Sequence, residues 1–272
     1  MNKFLFLLFG ILLTSPFWDL GHPLWEVDDA RYAEIPREMH ENKDWITPRL
    51  NGMDYVEKPP LLYWLSMISY HFFGVSEASA RLPLALLSLI GILGTLWLGS
   101  WLYSRNLGYS AALILGTCIQ YFVLSHSLTL DMALSASLIW ATGFILRCLY
   151  EPRPLFGFLA WCALAAAFFS KGLIGILLPA LWTVMLLFFP TLRKGLKPLL
   201  WNWGLPFFLG MIVGWFLVME KANPGFFQFF VGEQHFQRFL TPKYNRPGPW
   251  YYFFLVDAVG SMPWTPLLLV SL

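Results

Sequence analysis

The fold of this chain is decided by the stretch ARLPLALLSLIGILGTLWLGSWLY, residues 80–103. After Arg81 it carries no charged residue. It is long enough to cross the hydrocarbon core of a bilayer as one helix, which needs about 20 apolar residues. The whole 272-residue chain has the same character, with 57% hydrophobic and only 12% charged residues, where a soluble domain has about 25% charged residues. The sequence therefore predicts an integral membrane protein with several spans.

Similar apolar stretches recur along the chain, and charged residues cluster between them. The expected spans lie near residues 3–20, 80–103, 107–125, 130–149, 155–170, 172–190, 199–219 and 251–272. We interpret the first as an uncleaved span, because no small-residue cleavage site follows it. Residues 61–73 (LLYWLSMISYHFF) are too short to span easily and indicate a helix at the membrane interface. The expected fold class is an all-α, polytopic membrane helical bundle with extracytoplasmic loop helices.

Basic residues in the short connections indicate the orientation, since such residues favour the cytoplasmic side. When successive spans cross the membrane in opposite directions, the basic residues of the short connections all fall on one side. They are Lys3, Arg105, Arg147, Arg153, Arg193, Lys194 and Lys197. The segments 20–80 and 220–250 then form the first and second long extracytoplasmic loops. The last apolar stretch has no closing charge, so we expect residues 1–272 to be one transmembrane domain cut from a longer protein. The net charge is +2 without a basic stripe, so no nucleic-acid partner is expected.

The first external segment holds the most informative polar residues. If a helix begins at Asp28-Asp29, then Asp28, Arg31, Tyr32 and Ile35 share one face. Pro36 is expected to kink or shorten that helix. A carboxylate, a guanidinium and a phenol would then point the same way just above the membrane. The alternative is an ordinary solvated amphipathic helix.

Four further charged residues have a structural and a functional interpretation each. Glu57 and Lys58 precede Pro59-Pro60, so they either anchor the interfacial helix or present charges at the membrane surface. Asp131, at the external end of a span, either caps a helix or is a costly carboxylate that needs a partner. Lys171, in a turn at the same level, is either an external anchor or such a partner.

The second external loop contains Glu233-Gln234-His235-Phe236-Gln237-Arg238-Phe239. A lone histidine is usually structural. Here it lies on the same side of the membrane as Glu57, and a carboxylate with an imidazole suits a zinc-like ion. Metal binding is therefore one hypothesis for this loop.

Three motifs carry a family resemblance: DDARYAEIPREM (28–39), DWITPRLNG (44–52) and YVEKPPLLYW (55–64). Together with Asp131, Ser170-Lys171-Gly172 and the His235 segment, they resemble bacterial glycosyltransferases of the GT-C fold that use lipid-linked sugars. That group includes the aminoarabinose transferases of lipid A and, more distantly, the protein O-mannosyltransferases. The resemblance implies an enzyme that uses a polyprenyl-phosphate sugar donor, undecaprenyl phosphate in bacteria. It also implies a multi-pass protein of the bacterial inner membrane with its active site facing the periplasm.

The resemblance also implies roles for individual residues. The catalytic carboxylates are Asp28, Asp29 and Asp131; the donor phosphate is bound by Arg31, Lys58 and Lys171; the donor pocket is lined by Tyr32 and Tyr55; and a divalent metal, zinc, is held by Glu57 and His235. Asp28 is the principal catalytic group. Asp29 stands where the family often has Glu, and its shorter side chain reaches less far. The acceptor is lipid A, another envelope glycan or a protein.

Two other functions fit parts of the pattern. A transporter or flippase of a lipid-linked substrate could also carry charges in its membrane domain, although it would favour broken helices and repeated halves at the midplane. An inactive fragment would keep the fold without a complete site.

We predict that an impermeant thiol reagent applied from outside labels cysteines engineered at Asn51 and Gln237 but not at Lys194. The reason is that the positive-inside rule places the 190–198 connection in the cytoplasm. Labelling at position 194 in intact cells, with labelling in lysed cells as the control, would overturn the orientation.

Overall fold

The computed structural model describes residues 3–25, 27–237 and 248–271, without the side chains of residues 3–6, 235, 236, 268, 269 and 271. It is almost entirely helical, which confirms the predicted all-α class. The α-helices are α1 (Lys3–Thr14), α2 (Val27–Asn42), α3 (Leu61–Phe73), α4 (Glu77–Leu102), α5 (Arg105–Thr117), α6 (Ile119–His126), α7 (Leu130–Tyr150), α8 (Pro154–Lys171), α9 (Ile174–Leu186), α10 (Leu196–Leu200), α11 (Gly204–Ala222), α12 (Tyr252–Gly260) and α13 (Thr265–Ser271).

The other elements are short. Turns of 3₁₀-helix cover Ser15–Phe17 and Pro190–Gly195, and a π-helical segment covers Gln228–Gln237. Strands β1 (Arg49–Leu50) and β2 (Met53–Asp54) form an antiparallel hairpin in which Arg49 pairs with Asp54. The expected first external loop is thus an ordered assembly of α2, this hairpin and α3.

The predicted count of eight spans is larger than the structure supports as single helices. In the described part of the chain, four helices are long and apolar enough to cross a membrane: α4, α7, α8 and α11. The expected span 107–125 is instead α5 and α6, which meet at 62° because Cys118 has an extended backbone with ψ 133°. The expected spans 3–20, 172–190 and 251–272 contain shorter helices, and Pro16 and Pro263 lie where the first and last are interrupted.

The spanning helices form a bundle in which α7 and α8 make an antiparallel hairpin and α4 packs against both α5 and α7. Close backbone contact between α4 and α5 depends on Gly108, since a Cβ there would lie 2.6 Å from the Leu96 carbonyl oxygen. One apolar cluster surrounds α2, α3 and α4, and a second surrounds α8 and α11. The bundle holds α2 and α3 against one end of the spanning helices.

Arg81 fastens the assembly of α2, the hairpin and α3 to the bundle. Its side chain is completely buried at the start of α4. The guanidinium donates to Asp29 Oδ2 at 2.8 Å, to the Leu20 carbonyl at 3.0 Å, and to the carbonyls of His22 and Pro23. The other Asp29 oxygen accepts the backbone N–H of Leu128. A buried ion pair is tolerated when such additional hydrogen bonds satisfy its charges.

Helix α2 does not end at Pro36, contrary to the expected shortening, but continues to Asn42. Its far half is tied to the hairpin by the buried Glu38, whose carboxylate accepts the backbone N–H groups of Asn51 and Gly52. Both turn residues have positive φ, 54° and 75°, a conformation that glycine and asparagine tolerate best. Helix α3 confirms the helix predicted at 61–73.

We predict that Arg81→Met lowers the free energy of unfolding by about 3–5 kcal/mol, because it leaves the Asp29 carboxylate buried without a counter-charge. Arg37→Met, which removes the partly exposed ion pairs of Arg37 with Glu34 and Glu41 on α2, should cost at most about 1 kcal/mol. Denaturant titration in detergent measures both.

The double variant Asp29→Leu/Arg81→Met should recover much of the loss, since it removes both charges. Equal destabilisation by Arg81→Met and Arg37→Met would show that the buried pair does not hold the assembly.

Candidate active site

The first turn of α2 presents one carboxylate and one guanidinium at the surface. Arg31 Nη1 donates to Asp28 Oδ1 at 2.8 Å, one helical turn away. The Asp28 side chain is 53% exposed and that of Arg31 is 31% exposed, so an incoming ligand can reach both. The predicted shared face of α2 is therefore formed, and its two charges are already paired.

Asp29 lies elsewhere. Successive residues of a helix point in directions about 100° apart, so Asp29 faces the bundle and pairs with Arg81. Both of its oxygens are engaged there. Of the two adjacent aspartates expected to be catalytic, the structure places only Asp28 in the open cluster.

Two tyrosines form a neutral aromatic wall beside Arg31. The guanidinium carbon of Arg31 lies 5.9 Å from the ring centre of Tyr55, and the Tyr55 hydroxyl lies 3.5 Å from Glu57 Oε2. Burial raises the pKa of Tyr55, and the Glu57 carboxylate raises it further. Tyr32 stacks on Tyr63 with ring centres 6.1 Å apart. These contacts link Arg31, Tyr55 and Glu57, while Tyr32 packs against Tyr63. The donor-pocket role of the two tyrosines stays a prediction.

A second charged pair joins the spanning helices at the same end of the bundle. Lys171, the last residue of α8, donates to the carboxylate of Asp131 in the first turn of α7. Their side chains are 36% and 44% exposed. Thr129, and not Asp131, is the N-cap residue of α7, but Asp131 does lie in the first turn, where a carboxylate also suits the helix dipole. Lys171 is thus the partner of Asp131, which favours the second of its two interpretations over a simple anchor.

The pKa of Tyr32 links the two charged pairs. Burial raises this pKa most, Tyr55 and Asp28 add to it, and Asp131 contributes as well. Both carboxylates therefore act against ionisation of Tyr32. Each of them is paired with a cation, Asp28 with Arg31 and Asp131 with Lys171.

The structure describes the expected metal site only in part. Glu57 lies in the segment before α3, and Lys58 follows it directly. The side chain of His235 lies outside the described residues, as do Arg238 and Phe239 entirely, so the Glu57–His235 pairing stays a prediction. Elsewhere, no group of three or more His, Cys, Asp or Glu residues suited to a metal occurs in the part of the chain that the structure describes.

Two recesses flank the charged region. One, of about 690 Å³, lies between α2, the hairpin and the start of α4, with Arg31 and Glu34 in its wall. The other, of about 680 Å³, begins at Asp131 and follows α7 to Thr142 between α4 and α6. Arg31 and Asp131 thus each stand at the edge of a cavity that could admit a substrate.

Sequence reasoning missed Arg81, although a signal was present. An arginine at the start of an apolar span is costly unless it finds a partner. That rule would have directed attention to the acidic residues of the external segment, of which Asp29 is the one in contact.

Comparison with known proteins agrees with this arrangement. An arabinosyl transferase from Sodalis glossinidius, named for undecaprenyl phosphate-alpha-4-amino-4-deoxy-L-arabinose, is 30% identical over 91% of this chain and 45% of its own length. One from Yersinia enterocolitica is 28% identical over 92% of the chain and 46% of its own length. The chain spans about half the length of these relatives.

Solved structures show the same likeness. The crystal structure of ArnT from Cupriavidus metallidurans bound to undecaprenyl phosphate has a TM-score of 0.84 at 29% identity, covering 98% of this chain and 50% of that one. The GT-C fold is therefore shown. The family model described as dolichyl-phosphate-mannose-protein mannosyltransferase matches residues 57–217, more than half of the sequence. This chain belongs to the dolichyl-phosphate-mannose-protein mannosyltransferase family.

Proposed function

We propose that this protein is a membrane glycosyltransferase that moves a sugar from a polyprenyl phosphate donor to an acceptor outside the cytoplasm. The observation that carries the proposal is the two partly exposed ion pairs, Asp28–Arg31 and Asp131–Lys171, at one end of the bundle. The names of its relatives favour an undecaprenyl phosphate donor. Lipid A is the favoured acceptor, and another envelope glycan or a protein hydroxyl is the alternative.

The cations suit the leaving group. As the bond from the sugar to the phosphate oxygen breaks, that oxygen keeps the electron pair and the lipid phosphate gains charge. Arg31 and Lys171 lie where they can stabilise this charge, and Lys58 follows Glu57 in the same assembly. Fixed positive charges at a poorly hydrated membrane boundary are effective in this role. The lipid tail stays in the membrane, and the recess below Asp131 is a route for it.

The role of Asp28 depends on the acceptor. If the acceptor is a hydroxyl, its oxygen bonds to the anomeric carbon and its proton passes to the Asp28 carboxylate, which acts as general base. If the acceptor is a phosphate, it is already anionic and needs no base. Asp28 then holds Arg31 in place and stabilises positive charge developing on the sugar. In both cases the charge of Asp28 matters more than its size.

The orientation belongs to the same proposal. The chain is a multi-pass membrane protein. We assign it to the bacterial inner membrane with the Asp28 end in the periplasm, because the end with the short basic connections is expected in the cytoplasm. The transporter alternative gains no support, since the family and the named relatives are transferases.

We propose that Glu57 and His235 hold a divalent ion, zinc. The donor set fits, since one carboxylate and one imidazole are common zinc ligands, and Glu57 is half-buried beside the Tyr55 hydroxyl. When bound, such an ion would supply positive charge for the donor phosphate. The protein's own part is to hold Glu57 rigidly ahead of Pro59-Pro60.

We predict that Asp28→Asn lowers the rate of transfer from purified undecaprenyl-phosphate sugar by at least about a hundredfold, the low end of general acid–base contributions. Donor binding should change little, because the cations remain. Lys171→Ala should do the reverse and weaken donor binding. The matched control is Asp54→Asn, a carboxylate of similar exposure, 58%, on the hairpin.

Near-normal transfer by Asp28→Asn would remove Asp28 from the catalytic residues. If the unaltered chain binds undecaprenyl phosphate without transferring sugar, the alternative of an inactive fragment is correct.

We predict that purified protein retains zinc and that Glu57→Gln and His235→Ala each lower the metal content measured by mass spectrometry. The reason is the loss of one of two ligands, whose oxygen or nitrogen should lie about 2.0–2.2 Å from the ion. Glu41→Gln is the control, since Glu41 pairs with Arg37 on the exposed side of α2. Unchanged zinc content in both ligand variants would exclude this site.

A further inference from the structure

The end of the bundle opposite the candidate active site carries an apolar groove of about 870 Å³. Its walls include Leu155 and Phe158 on α8 together with Trp201, Trp203 and Leu205 after α10. Helix α8 runs from this groove to Lys171, a length of about 27 Å for its residues at 1.5 Å each. The groove is therefore a membrane thickness away from Asp28 and Asp131.

Close backbone packing preforms the groove. A Cβ on Gly204 would lie 2.8 Å from the Phe158 Cα, and one on Gly157 would collide with the Pro198 carbonyl oxygen. The side chain of Asn202 donates to the Pro198 and Leu199 carbonyls at 2.8 Å and accepts the Gly204 N–H at 2.6 Å. The polar atoms of the Asn202 side chain are therefore hydrogen-bonded to the backbone, and the groove offers a ligand mainly hydrocarbon surface.

Two tryptophan side chains at the mouth of the groove are highly exposed. Trp201 is 80% exposed and Trp203 is 83% exposed. Such large aromatic side chains at the ends of spanning helices are typical of the headgroup level of a bilayer. The groove therefore lies where a lipid headgroup meets its acyl chains.

The rim of the groove is positively charged. Arg153 immediately precedes α8, and Lys197 lies one turn before Leu200 on α10; both are exposed, as is the nearby Lys194. The carboxylate at this end, Glu151, is already paired with Arg147 at 3.0 Å. Within residues 3–25, 27–237 and 248–271, no carboxylate forms an ion pair with Arg153, Lys194 or Lys197.

We propose that this groove is a binding site for an anionic phospholipid, with an acyl chain against Phe158 and Leu205 and the phosphate between Arg153 and Lys197. The argument is charge complementarity: an apolar groove at headgroup level with an uncompensated basic rim matches a ligand that is apolar along its length and anionic at its head. A small soluble anion would leave the groove empty. The site is independent of the proposed transferase activity and of its donor.

Native mass spectrometry of the purified chain tests the proposal. The protein in detergent is titrated with phosphatidylglycerol or with phosphatidylcholine of the same acyl chains. The unaltered protein should bind phosphatidylglycerol more tightly. Arg153→Gln and Lys197→Gln should each weaken that binding about fivefold, the effect of one basic residue near an anionic lipid, and leave phosphatidylcholine binding unchanged.

Arg105→Gln is the matched control, because Arg105 is an exposed cation at the same end of the bundle, at the start of α5. Unlike Arg153 and Lys197, it does not lie within one helical turn of a groove-lining residue along the chain. Retained phosphatidylglycerol binding in this variant supports the proposal. Three results would overturn it: equal affinity of the unaltered protein for the two lipids, an equal loss in Arg105→Gln, or displacement of phosphatidylglycerol by the same concentration of inorganic phosphate.

Discussion

The buried ion pair between Arg81 and Asp29 is the constraint on which the candidate active site depends. It joins the start of α4 to the first turn of α2, and through Leu128 it reaches the turn before α7. A charge at this depth is stable only with partners. Because the carbonyls of residues 20, 22 and 23 also accept from Arg81, the chain that enters α2 is held along with the helix. Moving the first turn of α2 would break the bonds of Asp29 to Arg81 and to Leu128 together.

The ion pair between Arg81 and Asp29 gives two adjacent aspartates different structural roles. Asp29 points into the bundle and forms a buried ion pair with Arg81, whereas Asp28 points outward beside Arg31 and is 53% exposed. The helix thus converts a sequence doublet into one structural and one accessible carboxylate. The accessible group is held in position because its neighbour cannot move, an arrangement suited to a group that must meet a substrate in a fixed geometry.

The two ends of the bundle differ in how their charges are balanced. At the Asp28 end, the cations Arg31 and Lys171 are each paired with a carboxylate in a partly exposed cluster. At the other end, Arg147 pairs with the carboxylate of Glu151, and Arg153 and Lys197 stay exposed beside an apolar groove. Paired charges near cavities suit the exchange of substrates, whereas uncompensated cations suit a steady contact with anionic lipid.

The sequence by itself determined the membrane class, the long spans represented by α4, α7, α8 and α11, and the helix at residues 61–73, because these follow from apolar length and local periodicity. It also singled out Asp28, Arg31, Asp131 and Lys171 as candidate site residues, and these form two ion pairs at one end of the bundle. Tertiary structure decided the rest. Periodicity shows that Asp28 and Arg31 share a face of α2, but not that Asp29 would be buried, since its partner Arg81 lies 52 residues away. The pairing of Asp131 with Lys171, 40 residues apart, and the break of one expected span at Cys118 likewise depend on how the helices pack. Local pattern fixes which residues can face one another along a helix; only packing between helices decides which of them meet.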